Sequence, residues 1–113
     1  MQKDYEIVEL KDVYGALLTD RQREILTSYY DYDLSLAEIA AECGITRQGV
    51  RDNIVRAQKE LENFESALGL GKKFRGIAER LDELKKMLAV GAQITEDTHK
   101  AVLTLIDGIM NDI

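Results

Sequence analysis

The sequence contains no proline, a single cysteine, a single histidine and no long apolar run. Proline removes a backbone donor and clashes with the preceding turn, so its absence favours uninterrupted helices. One cysteine, Cys43, allows neither an internal disulfide nor a zinc site built from several thiolates. No stretch approaches the roughly 18 apolar residues that a membrane span needs, and the acidic start MQKDYEIVELKDVY lacks the apolar core of a signal peptide. We therefore expect a cytoplasmic protein without a membrane span.

The chain also lacks the groups of residues that catalysis and cofactor binding require. His99 has no cysteine partner, and Cys43 falls in an apolar helical stretch, so no Cys/His or Ser/His/Asp constellation can be assembled. GLGKK, at residues 69–73, lacks both the GxxxxGKS/T pattern and the preceding strand of a phosphate-binding loop. We predict a non-enzymatic protein without a metal site, a cofactor or a small-molecule substrate.

The remaining composition is that of a soluble helical protein. Hydrophobic residues make up 45% and charged residues 32% of the 113 positions, a balance that is too apolar for intrinsic disorder. Leu, Glu, Ala, Ile and Asp are the commonest residues, and the first three form helices at little cost. We predict an all-α fold that consists of one small domain with a C-terminal helical extension.

Caps and apolar periodicity place six helices along the chain. Thr19 begins TDRQ and Ser35 begins SLAE; both are capping boxes, which satisfy free backbone N–H groups at a helix start. Gly69 and Gly71 are predicted to break the chain between the fourth and fifth helices. The predicted helices cover about residues 5–17, a stretch after Thr19, Ser35 to Gly44, Arg47 to Leu68 or Leu70, about residues 72–90, and a last stretch after Thr95.

Residues 35–54, SLAEIAAECGITRQGVRDNI, have the pattern of a helix-turn-helix. In that motif two helices cross steeply, and the second lies in the DNA major groove. Ala40 and Ala41 are small enough for a close helix crossing, and Gly44 supplies the positive φ that the turn requires. The apolar residues that would close the small core are Leu36, Ile39, Ile45, Val50 and Ile54. The fourth helix is therefore the predicted DNA-reading helix.

The outward face of this fourth helix provides the candidate contacts. With Val50 and Ile54 facing the core, a rotation of about 100° per residue turns a largely polar set outward. Arg and Gln can bond guanine and adenine edges, and Lys and Arg can neutralise phosphates. Thr46, at the helix start, could donate to a phosphate. The predicted nucleic-acid contacts are Thr46, Arg47, Gln48, Arg51, Val55, Arg56 and Lys59.

Two resemblances rest on these residues. LTDRQREIL, SLAEIAAECGITRQGVR and the trailing RA-x-x-x-L, within about residues 18–61, are similar to the region 4 module of bacterial sigma factors. That similarity implies DNA contacts from Thr46, Arg47, Gln48 and Arg51. The whole chain, with its helical tail, resembles the YlxM family of small bacterial helix-turn-helix proteins, which many bacteria encode beside signal recognition particle genes. This second resemblance implies a regulatory or accessory role in protein targeting.

The charge distribution leaves two functions open. The formal net charge of -6 disfavours general binding to nucleic acid, yet residues 46–60 carry four Lys/Arg against two Asp/Glu. We expect either a DNA-binding regulatory protein or an acidic interaction module that docks on signal recognition particle components without reading DNA. The acids expected to repel the DNA backbone surround the first helix of the motif: Asp31, Asp33, Glu38 and Glu42.

The fourth helix also carries an apolar seam. Its members are Val50, Ile54, Ala57, Leu61, Phe64 and Leu68. A seam with this alternating spacing needs a partner helix along its whole length. We expect its second half, from Leu61 onward, to pack on the C-terminal helices or on another chain. The chain would then divide into a helix-turn-helix domain, residues 1–70, and a packing or dimerisation tail, residues 71–113, and would form a homodimer.

Overall fold

The computed structural model describes residues 3–113, and every regular element in that range is helical. The prediction of an all-α fold is therefore confirmed. A 3₁₀ turn, Gly15–Leu17, follows the first helix, which ends earlier than the sequence pattern indicates. Within the described range, no helix is long and apolar enough to cross a membrane. The α-helices are α1 (Glu6–Tyr14), α2 (Asp20–Tyr30), α3 (Leu36–Cys43), α4 (Arg47–Leu68), α5 (Leu70–Met87) and α6 (Glu96–Asp112).

Both predicted capping boxes are present. Thr19 Oγ1 accepts the N–H of Gln22 over 3.2 Å, and Gln22 Oε1 accepts the N–H of Thr19 over 3.0 Å. Ser35 and Glu38 form the same reciprocal pair at the start of α3. Because the first N–H groups of a helix have no acceptor within it, these pairs determine where α2 and α3 begin.

The chain forms two compact units, residues 1–71 and residues 72–113. In the first unit, α1, α2 and α3 all pack against α4. α4 turns four fully buried residues toward the core: Val50, Ile54, Ala57 and Leu61. They share one apolar cluster with Ile25 and Leu26 of α2 and Ile39 of α3. Burial of each Leu or Ile side chain contributes about 1.5–3 kcal/mol, so this core decides which face of α4 points to solvent.

The seam on α4 finds its partner inside the first unit. For Leu61 and Phe64, the expectation that the second half of the seam packs on the C-terminal helices or on another chain is wrong. Leu61 is fully buried in the same cluster as Ile7 and Tyr14 of α1, and the ring centroids of Tyr14 and Phe64 lie 5.9 Å apart. The N-terminal helix, whose own apolar residues need burial, covers this part of α4. Leu68, at the end of the seam, remains exposed.

Only Gly69 interrupts the chain between α4 and α5. Its φ of 64° is the left-handed conformation that commonly ends a helix. The prediction of a second break at Gly71 is wrong, because Gly71 lies in the first turn of α5 and its N–H donates to Glu65 Oε1 over 2.9 Å. A carboxylate from the preceding helix thus accepts a hydrogen bond from a backbone N–H at the start of α5, which has no acceptor within the helix. The helix accordingly runs from Leu70 to Met87 rather than over residues 72–90.

The second unit consists of the larger part of α5 together with α6. Its buried apolar residues are Leu84 on α5 and Ile109 on α6. The Arg80 guanidinium pairs with the Asp112 carboxylate, and Thr95 caps α6 as the sequence predicts. This unit therefore has a much smaller apolar core than the first.

Candidate nucleic-acid interface

The turn between α3 and α4 has the geometry that the helix-turn-helix pattern requires. Gly44 has a φ of 67° and ends α3 in the left-handed conformation. The Ile45 N–H donates to the Ala40 carbonyl oxygen over 3.2 Å. Arg21 of α2 donates to the Cys43 carbonyl oxygen over 3.3 Å, which places a positive charge at the C-terminal end of α3, where the helix dipole favours it. The direction in which α4 leaves the turn is therefore well defined.

Thr46 is the N-cap of α4. Its Oγ1 accepts the N–H of Gly49 over 2.9 Å. The hydroxyl hydrogen is not used in that bond, because a threonine hydroxyl can accept and donate at once. A Cβ at position 49 would lie 3.2 Å from Thr46 Oγ1. Gly49 therefore leaves room for the cap, and Thr46 keeps a donor for an external anion.

α4 carries four exposed cations away from its core residues, and we term Arg47, Arg51, Arg56 and Lys59 the cationic face. Within residues 3–113, none of these four side chains forms an ion pair with a carboxylate. They are thus available to an external anion without the loss of an internal partner. Val55, which is also exposed, lies among them on the helix surface.

The first turns of α3 and α4 border a groove of about 350 Å³. Arg47, Gln48 and Arg51 line it from α4, and Ser35 and Ala37 line it from α3. The structure therefore brings three of the predicted contacts together beside the start of α3. Ser35 and Ala37 were not predicted as contacts. The SLAE capping box, which marks the start of α3, is the sequence signal that could have identified them.

The other predicted contacts do not line this groove. Thr46 lies at the turn as the N-cap of α4. Val55, Arg56 and Lys59 are exposed further along α4, toward its middle. At about 1.5 Å per residue, Lys59 lies roughly 18 Å along the helix axis from Arg47. The predicted set thus extends over more than three helical turns.

Gln48 is engaged within its own helix. Its Nε2 donates to Asp52 Oδ1 over 2.9 Å, so the Gln48 carbonyl oxygen remains as an acceptor. Asp52, which was not predicted as a contact, is exposed between the cations. A carboxylate can accept from the amino groups of bases but repels phosphate. This part of α4 is therefore better suited to base edges than to the DNA backbone.

Two of the acids expected to repel DNA are paired with lysines from the N-terminal segment. Lys11 Nζ lies 2.6 Å from Asp31 Oδ2, and Lys3 pairs with Asp33. The hydrogen bond and the charge of Lys3 hold the pKa of Asp33 below its usual value. A neighbouring lysine therefore offsets the negative charge of each carboxylate.

A third acid, Glu38, serves the start of α3. Hydrogen bonds with Ser35 lower the pKa of the Glu38 carboxyl, and the bond from the Ser35 backbone N–H has the largest effect. Its negative charge also lies in the first helical turn, where the dipole stabilises it. Of the four acids, Glu42 alone is exposed without an ion-pair or hydrogen-bond partner in the described part of the chain. These four acids should therefore repel the DNA backbone less than the sequence indicates.

The arrangement offers groups that can bind a nucleic acid. It combines positive charge, hydrogen-bond donors and one exposed apolar side chain, which are the features that contact phosphates, base edges and thymine methyl groups. The residues that the structure describes include no cluster of three or more His, Cys, Asp or Glu side chains able to hold a metal ion.

Comparison with known proteins assigns the chain to a family. The model of the UPF0122 family, described as "Putative helix-turn-helix protein, YlxM / p13 like", matches residues 1–101. This chain belongs to the UPF0122 family. The match covers the helix-turn-helix, α5 and the start of α6, so the expected YlxM resemblance is confirmed.

Relatives in the UPF0122 family match nearly the whole chain. A UPF0122 protein of Thermoanaerobacter sp. strain X514 is 44% identical over 104 residues, which cover 92% of this chain and 87% of that protein. A UPF0122 protein of Halalkalibacterium halodurans is 40% identical over 107 residues, covering 95% and 96%. A UPF0122 protein of Clostridium perfringens strain SM101 is 37% identical over 111 residues, covering 98% and 99%. These relatives therefore share the helical tail as well as the helix-turn-helix.

Proposed function

We propose that this chain is a DNA-binding regulatory protein that places α4 in the major groove of duplex DNA. The observation that carries the proposal is the cationic face, whose side chains have no ion-pair partner within residues 3–113. It lies on the second helix of a helix-turn-helix, the helix that enters the groove in proteins of this architecture.

The positions along α4 suggest a division of roles. At about 100° per residue, Arg47 and Arg56 lie on opposite edges of the exposed surface, so each can meet the phosphates of one groove wall. Thr46 adds a donor at the helix start. Gln48 and Val55 lie between the edges, where an amide can bond a base and a valine can contact a thymine methyl group. Arg51 and Lys59 are the other two predicted contacts on α4.

Salt dependence tests this proposal directly. Arg47→Ala/Arg51→Ala removes two charges from the cationic face, and Arg23→Ala/Lys100→Ala removes two exposed charges from α2 and α6 as a matched control. Fluorescence anisotropy would follow binding to duplexes from the gene's own neighbourhood between about 50 and 200 mM salt. Each lost phosphate contact should lower the slope of log K against log[salt] by about one.

We expect wild-type chain and control to bind with the same slope, and the double variant to bind more weakly with a shallower slope. Absence of any complex at low salt would contradict DNA binding. Equal loss in the two double variants would contradict the assignment of contacts to α4, since it would reflect total charge only.

A second candidate is an acidic interaction module that docks on signal recognition particle components. The location of the negative charge favours it: residues 1–71 carry eight Lys/Arg against fourteen Asp/Glu, a net charge of -6, whereas residues 72–113 carry seven of each. An acidic first unit would attract the basic proteins that bind targeting RNA.

Affinity capture from lysate, with and without nuclease, separates the two candidates. Capture of targeting components that survives both nuclease and Arg47→Ala/Arg51→Ala would support protein docking. Failure to retain those components under any condition would refute it.

A further inference from the structure

The second unit leaves a broad apolar surface exposed. On α5 and the turn that follows it, Phe74, Leu81 and Leu88 are each about half exposed. They are seven residues apart, so they form one stripe along the helix. We propose that this surface binds a second copy of the chain and that the two copies form a four-helix bundle. The proposal does not depend on DNA binding.

α6 has a stripe of its own. Leu103, Ile106 and Met110 follow the spacing of three and four residues that aligns side chains on one helix face. Leu103 is 49% exposed, Ile106 38% and Met110 66%. Each helix of the second unit therefore has one buried apolar position and a line of uncovered ones beside it.

Both stripes lie on the same side of the second unit. The Arg80 side chain runs back along α5, where its Nε donates to the Gly76 carbonyl oxygen over 3.2 Å, and forward along α6, where it passes from Gly108 to Asp112. The two helices therefore run antiparallel. At about 100° per residue, the α5 stripe lies about 60° around the α5 axis from the buried Leu84, and the α6 stripe lies about 90° around the α6 axis from the buried Ile109. When each helix is viewed from its N-terminus, the two rotations have the same sense. Because the helices point in opposite directions, equal senses of rotation place both stripes on one side.

The size of this surface suits a dimer. Six side chains that are about half exposed offer roughly 100 Å² each, hence roughly 600 Å² per copy and 1,200 Å² for two copies. That area reaches the lower limit of stable protein interfaces. An antiparallel helix pair with one apolar side is half of a four-helix bundle, which a second pair completes.

Charge points to a second copy as the partner. α5 carries six Lys/Arg against three Asp/Glu, a net charge of +3, and α6 carries one against four, a net charge of -3. A two-fold axis parallel to the helices would place α5 of each copy against α6 of the other and so pair opposite charges twice. The second unit is neutral as a whole, so copies do not repel each other there.

Light scattering and sedimentation of the full chain test the association. We expect twice the chain mass of 12.8 kDa at micromolar concentration. Leu81→Glu, which occurs twice in a symmetric dimer, should weaken association about a hundredfold or more. Leu17→Glu replaces a leucine of similar exposure in the first unit and should leave the dimer intact. Because both leucines are exposed, circular dichroism should show unchanged helix content in each variant.

Charge reversal tests how the helices pair. Lys85→Glu/Lys86→Glu turns the net charge of α5 from +3 to -1, and Glu96→Lys/Asp107→Lys turns that of α6 from -3 to +1. Each variant alone should dissociate, and an equimolar mixture should form a mixed dimer, because its two helix contacts pair opposite charges again.

Several results would overturn the proposal. A monomeric wild-type chain at about 100 μM would remove the second copy as the partner, even if another protein from the cell bound the surface. A dimer that survives Leu81→Glu would place the interface elsewhere. Failure of the two charge-reversed variants to associate on mixing would refute the pairing of α5 with α6.

Discussion

At the start of α5, we expect a substitution of glycine by alanine to change the stability of the protein in the direction opposite to the usual one. Replacing a glycine in a helix by alanine ordinarily stabilises a protein by about 0.5–1 kcal/mol. At Gly71, however, the new Cβ would lie 2.6 Å from Glu65 Oε2 and 3.1 Å from its Cδ. The whole Glu65 carboxylate would have to withdraw. We therefore expect Gly71→Ala to destabilise the protein.

The magnitude follows from what that carboxylate holds. Glu65 Oε1 accepts the hydroxyl of Tyr14 over 2.7 Å and the N–H of Gly71 over 2.9 Å. A hydrogen bond to a charged group contributes about 1.5–3 kcal/mol, and Glu65 is only partly buried, so the lower part of that range applies. After subtraction of the helix gain, weakening both bonds should lower the free energy of unfolding by about 1–2 kcal/mol.

Urea unfolding followed by far-UV circular dichroism provides the measurement, and Gly15→Ala in the turn after α1 is the control. Gly15 has a φ of -55°, and a Cβ there would meet only Lys11 Cγ, at an ordinary contact distance of 3.6 Å, so this variant should be stabilised by about 0.4–1 kcal/mol. In a Glu65→Ala background, Gly71→Ala should become stabilising as well, because its obstacle is gone. If Gly71→Ala stabilises the unaltered chain, Glu65 is not held as described.

Three further substitutions test other parts of the structure by the same unfolding measurement. Leu61→Ala should lower the free energy of unfolding by about 2–5 kcal/mol, because it opens a cavity against α1, whereas Leu68→Ala should lower it by less than about 0.5 kcal/mol. Similar losses in the two variants would contradict the burial of Leu61 in the core of the first unit. Thr46→Ala should cost about 1 kcal/mol through the lost cap, and an unchanged midpoint would argue against that bond. Because the pKa of Glu38 is lowered in the folded state, its contribution is present above the usual glutamate pKa and is lost as the pH falls through the lowered value. Glu38→Gln should reduce the drop in stability between about pH 7 and pH 3, and an equal drop would contradict this.

The sequence predicted the features that depend on neighbouring residues. The capping pairs at Thr19 and Ser35 and the left-handed turn at Gly44 each involve groups within about four positions. Their residue types have few alternative uses at that spacing, because a hydroxyl followed three residues later by Glu or Gln satisfies a helix start. The core face of α4 was predictable for a similar reason, since its apolar period is that of a helix.

The features that were missed join residues far apart in the sequence. Tyr14 and Glu65 are 51 positions apart, and their bond helps to anchor the start of α5. Lys3 and Asp33 are 30 positions apart. No local pattern identifies such partners, because many lysines and acids could pair equally well until the helices pack. For that reason the sequence led to two wrong expectations: a break at Gly71, and packing of Leu61 and Phe64 on the C-terminal helices or on another chain.

The same distinction explains how a chain with a net charge of -6 can present a surface suited to DNA. At physiological ionic strength, charges are screened over about 8 Å, so a phosphate near α4 responds to its immediate surroundings rather than to the total charge. Lysines drawn from the N-terminal segment offset Asp31 and Asp33, whereas the cationic face keeps its charge unpaired within residues 3–113. Folding thus pairs two of the acids near α3 with lysines and leaves the cationic face of α4 without an ion-pair partner in the described part of the chain.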